Sequence, residues 1–354
     1  MGPPASRAGW GRDRGEIVTA PARLAIAGVG VMGMRWLRAV SEHPLARVAL
    51  ICDADADRAR DVADQVGARW SADLEDLDGV DGLIVCTPEH LHAPPAMAAL
   101  EAGIPVAVEK PFTHDVPAAR QIVEAAERTG TPVLAAHILR FEPRYSAIRA
   151  ALDEGTIGSV IGVRSARIGV RADQDVLQGR TTAPLYYGSH ELDLARWYAG
   201  DIAQISAFHS SGVLQRQGYD VADLYSIAMQ FTSGAHGTSM LGWSLPDRSV
   251  PPGLSGFTVI GEDGYLQVEQ GATGLVGYAS QGPVPLDTWY TPQIHGRLGG
   301  AMAHEVDHFV SVVRGESEPI CTARDGMEAL RASLAVEHSA HTGQIVRMKE
   351  FENR

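Results

Sequence analysis

Lysine is nearly absent from this 354-residue chain: only Lys110 and Lys349 occur, against 28 arginines. A chain that fills almost every basic position with Arg keeps Lys where Arg will not serve. A guanidinium is permanently charged, whereas an ammonium shifts its pKa on burial and can enter proton chemistry. Cysteine is scarce too. Cys52, Cys86 and Cys321 are odd in number, far apart and in no metal-ligand or C-x-x-C spacing, which argues against a disulfide framework or metal centre and for a reducing, cytoplasmic setting. No apolar stretch approaches the roughly 18 residues of a membrane span. Residues 1–21, rich in Gly, Pro and Arg, lack the apolar segment of a signal peptide and read as a disordered leader. Positive charge is also short: a net charge of −13 argues against nucleic-acid and anionic-membrane partners, which need a basic face. With 45% apolar and 21% charged residues, the composition is that of a soluble globular protein long enough for about two domains.

The first half alternates short apolar runs with helical periodicity. Residues 24–29 end in a glycine turn, 48–52 end at Asp53, 83–86 at Thr87-Pro88 and 106–108 at Glu109-Lys110-Pro111; residues 132–138 form one more strand. Continuous apolar strands separated by helices of about 10 to 15 residues predict a parallel sheet covered on both faces. Such sheets bind ligands at the carboxyl ends of their strands, where Gly28, Asp53, Thr87, Lys110 and His137 all fall.

The turn reads Gly28-Val29-Gly30-Val31-Met32-Gly33, follows a strand, opens a helix and has Asp53 twenty positions after Gly33. Gly28 permits the tight turn, Gly30 lets the backbone approach a pyrophosphate, and Gly33 brings helix and strand together, while the helix N-terminus attracts phosphate. An Asp at the end of the second strand accepts hydrogen bonds from ribose hydroxyls and repels a 2′-phosphate. With Arg58 the nearest basic residue, the reading is NAD rather than NADP.

The second half alternates with period two over 160–170, 203–208, 226–231, 237–243, 257–260 and 265–268, separated by turns such as Ser233-Gly234, which predicts an antiparallel sheet; helices over 301–313 and 325–342 complete it. Domains are expected at 22–143 and 144–354. Within the second, Tyr186-Tyr187-Gly188-Ser189-His190-Glu191-Leu192-Asp193 places His190 and Asp193 one helical turn apart. Oxidation of a hydroxyl needs a base with a pKa near neutrality, which His supplies without large perturbation.

These motifs together resemble the glucose-fructose oxidoreductase, inositol dehydrogenase and rhizopine-catabolism family of NAD(P)-dependent oxidoreductases, over nearly all of residues 24–348. The resemblance rests on the glycine turn, Thr87-Pro88 with His92, Ala102-Gly103 leading to Glu109-Lys110-Pro111, Arg140-Phe141 with Pro143, and the helix of His190 and Asp193. It implies a Rossmann dinucleotide-binding domain followed by a domain on a large, mostly antiparallel open sheet, whose open face implies a homo-oligomer, dimer or tetramer. In that family the lysine lies between nicotinamide and substrate and the histidine helix lines the substrate side, so Lys110 and His190 inherit those roles. Many members carry Asp four residues before the histidine, where this chain has Tyr186.

The resulting expectation is hydride transfer from a carbinol of a sugar, aminosugar or cyclitol to NAD. His190 acts as base, Lys110 holds the reacting oxygen, and Asp193 orients His190 or grips a substrate hydroxyl. Gly28, Gly30, Val31, Met32, Gly33, Asp53, Thr87, Pro88, His92, Glu109 and Lys110 form the expected cofactor set. His137, Arg140, Arg167, Tyr186 and His190 form the expected substrate set, with Glu89 and Arg171 further polar candidates. The same residues suit ketosugar reduction, a redox-neutral NAD-dependent glycosidase, or a non-catalytic sensor.

Overall fold

A computed structural model describes residues 20–351 except 75, 76, 248, 250–252, 270–276, 280, 281, 285 and 286. Nearly all of the expected leader lies outside the described residues. The chain divides into two units, residues 1–136 with 293–324, and residues 137–292 with 325–354.

The first unit runs β1 (Ala22–Ala27), α1 (Val31–Glu42), β2 (Ala46–Cys52), α2 (Ala56–Val66), β3 (Arg69–Ser71), β4 (Gly82–Val85), α3 (Ala93–Glu101), β5 (Val106–Glu109), α4 (Val116–Thr129) and β6 (Val133–Ala136). The strands form one sheet in the order β3-β2-β1-β4-β5-β6, parallel throughout. Strands β4, β5 and β6 are buried at every residue, as their largely apolar strings require. The strand order reverses between β1 and β4, the place where an open parallel sheet leaves a crevice at its carboxyl ends. Strand β3 has no apolar pattern to announce it, since two of its three residues are exposed at the sheet edge.

The second unit begins α5 (Pro143–Asp153), β7 (Val160–Val170), α6 (Asp173–Leu177), α7 (Ser189–Ala199), β8 (Ile202–Ser210), α8 (Val213–Arg216), β9 (Leu224–Phe231), β10 (His236–Leu245), β11 (Gly253–Gly261) and β12 (Tyr265–Glu269), followed by the hairpin β13 (Gly277–Ala279) and β14 (Gly282–Val284). In its large sheet β7 pairs parallel with β10, and the other pairings are antiparallel. Strand β9 alternates buried and exposed residues, its buried set Tyr225, Ile227, Met229 and Phe231 joining a core with Leu192, Ala195 and Tyr198 of α7. On the other face Phe208, Ser226, Met240, Ala166 and Gly256 lie in one row across five strands. Phe208, Leu254 and Tyr265 are more than half exposed there.

The hairpin β15 (Gln293–Ile294) and β16 (Arg297–Leu298) and helix α9 (Gly300–Val313) then rejoin the first unit. Helix α9 packs on α1, with Phe309 edge-on to Trp36 at 6.4 Å between ring centres. From α10 (Ala323–Thr342), Ala332, Ala335 and Val336 enter the second core, and β17 (Val346–Arg347) pairs with β8. In the structure the first compact unit ends at Ala136 and includes 293–324, whereas the sequence reading places a division at 143/144 with an unbroken second domain. Periodicity shows that α9 has an apolar stripe, Ala301, Met302, Val306, Phe309 and Val310, but not which core receives it.

Candidate active site

In the first unit the glycine turn has the geometry expected of a dinucleotide cradle. Gly28 has φ +88°, and a Cβ there would stand 2.7 Å from the main chain of Cys86 and Thr87. A Cβ on Gly33 would fall 1.9 Å from the Gly28 carbonyl oxygen, so only glycine lets α1 approach the turn. Gly30, by contrast, faces open space where a pyrophosphate would lie, at the N-terminus of α1. Val31 is well exposed at the same helix start. The cradle fits NAD.

Asp53 follows β2 and is only 8% exposed. Its Oδ2 accepts from the Val29 N–H at 2.9 Å, bracing the glycine turn. Its Oδ1 accepts from the Asp55 N–H at 3.0 Å and the Arg58 guanidinium at 2.6 Å. Burial pushes this carboxyl up, but the Arg58 and backbone hydrogen bonds outweigh it and hold the group below its usual range. The sequence expectation that no basic residue stands beside Asp53 is therefore corrected. Arg58 is five residues away in the chain, but the first turn of α2 carries it back onto the carboxylate.

Thr87 donates from its hydroxyl to the Leu91 carbonyl at 3.1 Å, closing the short turn that Pro88 opens. His92 is 1% exposed, with Nδ1 3.2 Å from the Phe112 carbonyl oxygen and Nε2 2.8 Å from that of Thr87. It ties the loop after β4 to the one after β5.

Lys110 stands just past the end of β5, before a cis bond to Pro111. Its backbone N–H donates to Glu109 Oε2 at 3.1 Å, and the Trp36 indole N–H donates to Glu109 Oε1 at 2.8 Å. Both oxygens of the buried Glu109 thus fix the main chain from which Lys110 projects. Burial pushes the Glu109 carboxyl up, with Trp36 and Lys110 opposing.

Glu305 of α9 is fully buried, and neither of its carboxyl oxygens has a hydrogen-bond partner among the described residues. Burial, with Glu109 nearby, pushes its pKa well above the usual 4.5, so the folded protein keeps it protonated where the unfolded chain ionises. The folded state then binds the extra proton, and its stability falls as pH rises above 4.5. Glu305→Gln removes that dependence. Its melting temperature should exceed that of the wild type by a margin that widens from about pH 5 to pH 8, each unit of displaced pKa being worth about 1.4 kcal/mol. Parallel melting curves across that range would refute a buried proton on Glu305. The residue was legible as an acid on the apolar stripe of α9, between Met302 and Phe309, but the sequence reading passed over it.

In the second unit, α7 grows out of a π-helical turn, Pro184–Gly188, a wide turn often found at functional sites. Tyr186 in that turn packs against Tyr187 and Trp243, with ring centres 5.1 and 5.9 Å away. The Tyr187 hydroxyl donates to Asp173 at 2.8 Å. His190 lies in the first turn of α7 and is partly exposed.

Asp193 is turned inward and is 1% exposed. Arg140 grips it with both arms of its fork, Nε to Oδ2 at 2.9 Å and Nη2 to Oδ1 at 2.6 Å, with the guanidinium 5.2 Å from the centre of the Trp197 ring. Burial pushes the Asp193 carboxyl up, but Arg140, followed by His137, outweighs it and holds the group ionised below its usual range. Asp193 and Arg140, both nearly fully buried, are thus paired with one another, and His137 also approaches the acid, its Nδ1 3.9 Å from Asp193 Oδ2. Helical spacing put His190 and Asp193 on neighbouring positions, but a side chain near a helix start goes where its strongest partner is.

Arg167 is likewise committed: its Nε donates to the buried Glu191 at 2.6 Å and its Nη1 to the Tyr290 hydroxyl at 3.2 Å, so its charge is already answered. Arg171 donates to the Ser244 carbonyl at 3.3 and 3.2 Å. His137 is 2% exposed and stands against His190, not at an open surface.

A parallel sheet with a glycine cradle at its switch point and an acid at the next strand end defines a dinucleotide-binding protein. The chain belongs to the glucose-fructose oxidoreductase, inositol dehydrogenase and rhizopine-catabolism family: residues 22–137 match its NAD-binding Rossmann fold and residues 149–348 its C-terminal alpha/beta domain. Among curated relatives, inositol 2-dehydrogenase of Rubrobacter xylanophilus is 27% identical over 93% of this chain and 94% of its own length. D-apiose dehydrogenase of Paraburkholderia graminis is 26% identical over 93% and 90%. Among solved structures, GenD2 from gentamicin A biosynthesis in complex with NAD superposes with a TM-score of 0.77 at 23% identity, covering 95% of this chain and 99% of that one. Scyllo-inositol dehydrogenase from Lactobacillus casei with bound NAD(H) and scyllo-inositol gives 0.77 at 18% identity, over 93% and 100%. The fold expected from the sequence, a Rossmann domain and a second domain on a mostly antiparallel sheet, is the fold observed, and the cofactor is NAD. Among the described residues no helix is long and apolar enough to cross a membrane.

Proposed function

We propose that this enzyme oxidises a secondary hydroxyl of a cyclitol, sugar or aminosugar to the ketone, His190 accepting the hydroxyl proton and Lys110 holding the reacting oxygen. NAD supplies the hydride acceptor. The observation that carries this reading is the anchoring of Lys110, one of two lysines in the chain, by a buried glutamate clamped through Trp36. An ammonium held at a strand end beside a dinucleotide cradle suits an alkoxide-like oxygen, and a neutral imidazole suits its proton. Near relatives in sequence are an inositol and an apiose dehydrogenase, both acting on polyhydroxylated substrates, which supports the substrate class.

The test is reduced-nicotinamide absorbance with purified protein, NAD and a panel of free inositols, sugars and aminosugars. A substrate-dependent rise establishes the dehydrogenase. NAD binding without reduction by any of them would overturn it.

The exposed row of Phe208 and Met240 on the open sheet face supports self-association into a dimer or tetramer. Phe208→Glu should then lower the molar mass measured by light scattering. A monomeric wild type would refute this. The reading also places the enzyme in a reducing cytoplasm, where its three cysteines stay thiols; a disulfide found in the protein isolated from cells would count against it.

A further inference from the structure

The residue four before His190 is Tyr186, whose ring packs on Tyr187 and Trp243. The acid one turn after it, Asp193, is held by Arg140. Yet Asp193 Oδ2 also lies 3.9 Å from Nδ1 of His137, and the His137 ring stands perpendicular to that of His190, with centres 6.3 Å apart and an interplanar angle of 88°. His137 and Asp193 are 2% and 1% exposed, so water screens neither from the other. One short turn delivers both partners of the acid: His137 immediately precedes the segment Ile138–Phe141 that carries Arg140.

We propose that His137 is a positioning residue for His190: the two imidazoles hold one proton between them, and in the resting enzyme it sits on His137 beside the Asp193 carboxylate. His190 is thereby kept neutral and able to accept a proton, because a second imidazolium beside the first is opposed. Beyond Asp193, the ion-pair network next to His137 runs through Arg140 of the same turn to Asp325 of α10, which lies 3.5 Å from Arg140 and 3.6 Å from Arg196 of α7. This arrangement brings the acid's influence to His190 through an intermediary ring.

The inference rests on His190 being the base, and the experiment separates the two claims. Full-length protein labelled with 13C at histidine Cε1 is titrated by NMR, with the two signals assigned by their loss in His190→Gln and His137→Gln. Coupling gives a two-step curve for His190 in the wild type. In His137→Gln it gives a single step with a midpoint about one pH unit higher, and the acid limb of kcat/KM moves with it. A purely structural role for His137 would change stability or KM but leave the His190 midpoint in place. A single-step His190 curve in the wild type overturns the proposal even if the variant fails to fold, as does an unmoved midpoint in a folded variant. If the coupling is present but His190→Gln retains wild-type turnover, the base assignment falls instead, and the inferred positioning role falls with it.

Discussion

Lys110→Ala should lower kcat by about 100- to 10,000-fold, the range for a positioned group in proton transfer, while NAD affinity changes little. The cradle of Gly28, Gly30 and Gly33 is built from main chain and does not depend on the lysine side chain. Lys110→Arg should be nearly as inactive, because a guanidinium neither releases a proton near neutrality nor presents a compact charge. The checks are turnover by nicotinamide absorbance with whichever polyol the wild type oxidises, and NAD binding by calorimetry. Turnover within tenfold of wild type in Lys110→Ala would remove Lys110 from the chemistry. Loss of NAD binding would instead show that the lysine belongs to the cofactor site.

The second large effect is on stability. Asp193→Ala removes the bidentate carboxylate partner of the Arg140 guanidinium, 3% exposed, and leaves it the longer 3.5 Å contact with Asp325. Breaking one partner of a buried pair in this way costs about 3 to 5 kcal/mol. The double variant Arg140→Met with Asp193→Leu should recover most of that loss, since it leaves no orphaned charge. The pH dependence follows from the carboxyl's lowered pKa. The pair's contribution is complete above the unfolded value of 3.8 and is lost as pH falls through the lower folded pKa. Urea unfolding of both single variants and the double gives the coupling. Equal destabilisation in the double and in Asp193→Ala would show that the pair is not what holds this part of the core.

Where local chemistry dictates the outcome, the sequence was readable. Gly28 needs a positive φ and Gly33 a contact without a Cβ, and both needs are imposed by neighbours within the same strand-turn-helix unit or by the adjoining strand. Glu109 could be read as a support for Lys110 because it is the adjacent residue, and its carboxylate does accept from the Lys110 N–H. Arg58 shows the limit. By chain position it is the nearest basic residue to Asp53 without adjoining it, whereas the first turn of a helix folds five residues back to a 2.6 Å contact.

The sequence by itself determined the parallel and antiparallel sheets and the dinucleotide cradle, because periodicity and glycine stereochemistry act over a few residues. Tertiary structure alone decided the partners. Arg140 takes Asp193 from 53 positions away, Arg167 takes Glu191 and Tyr290, Trp36 reaches Glu109 across 73 positions, and α9 returns to the first unit. Buried charges and indole N–H groups go to the partner that best offsets desolvation, and in a folded chain that partner is set by which strand ends and helices are packed together rather than by distance along the sequence.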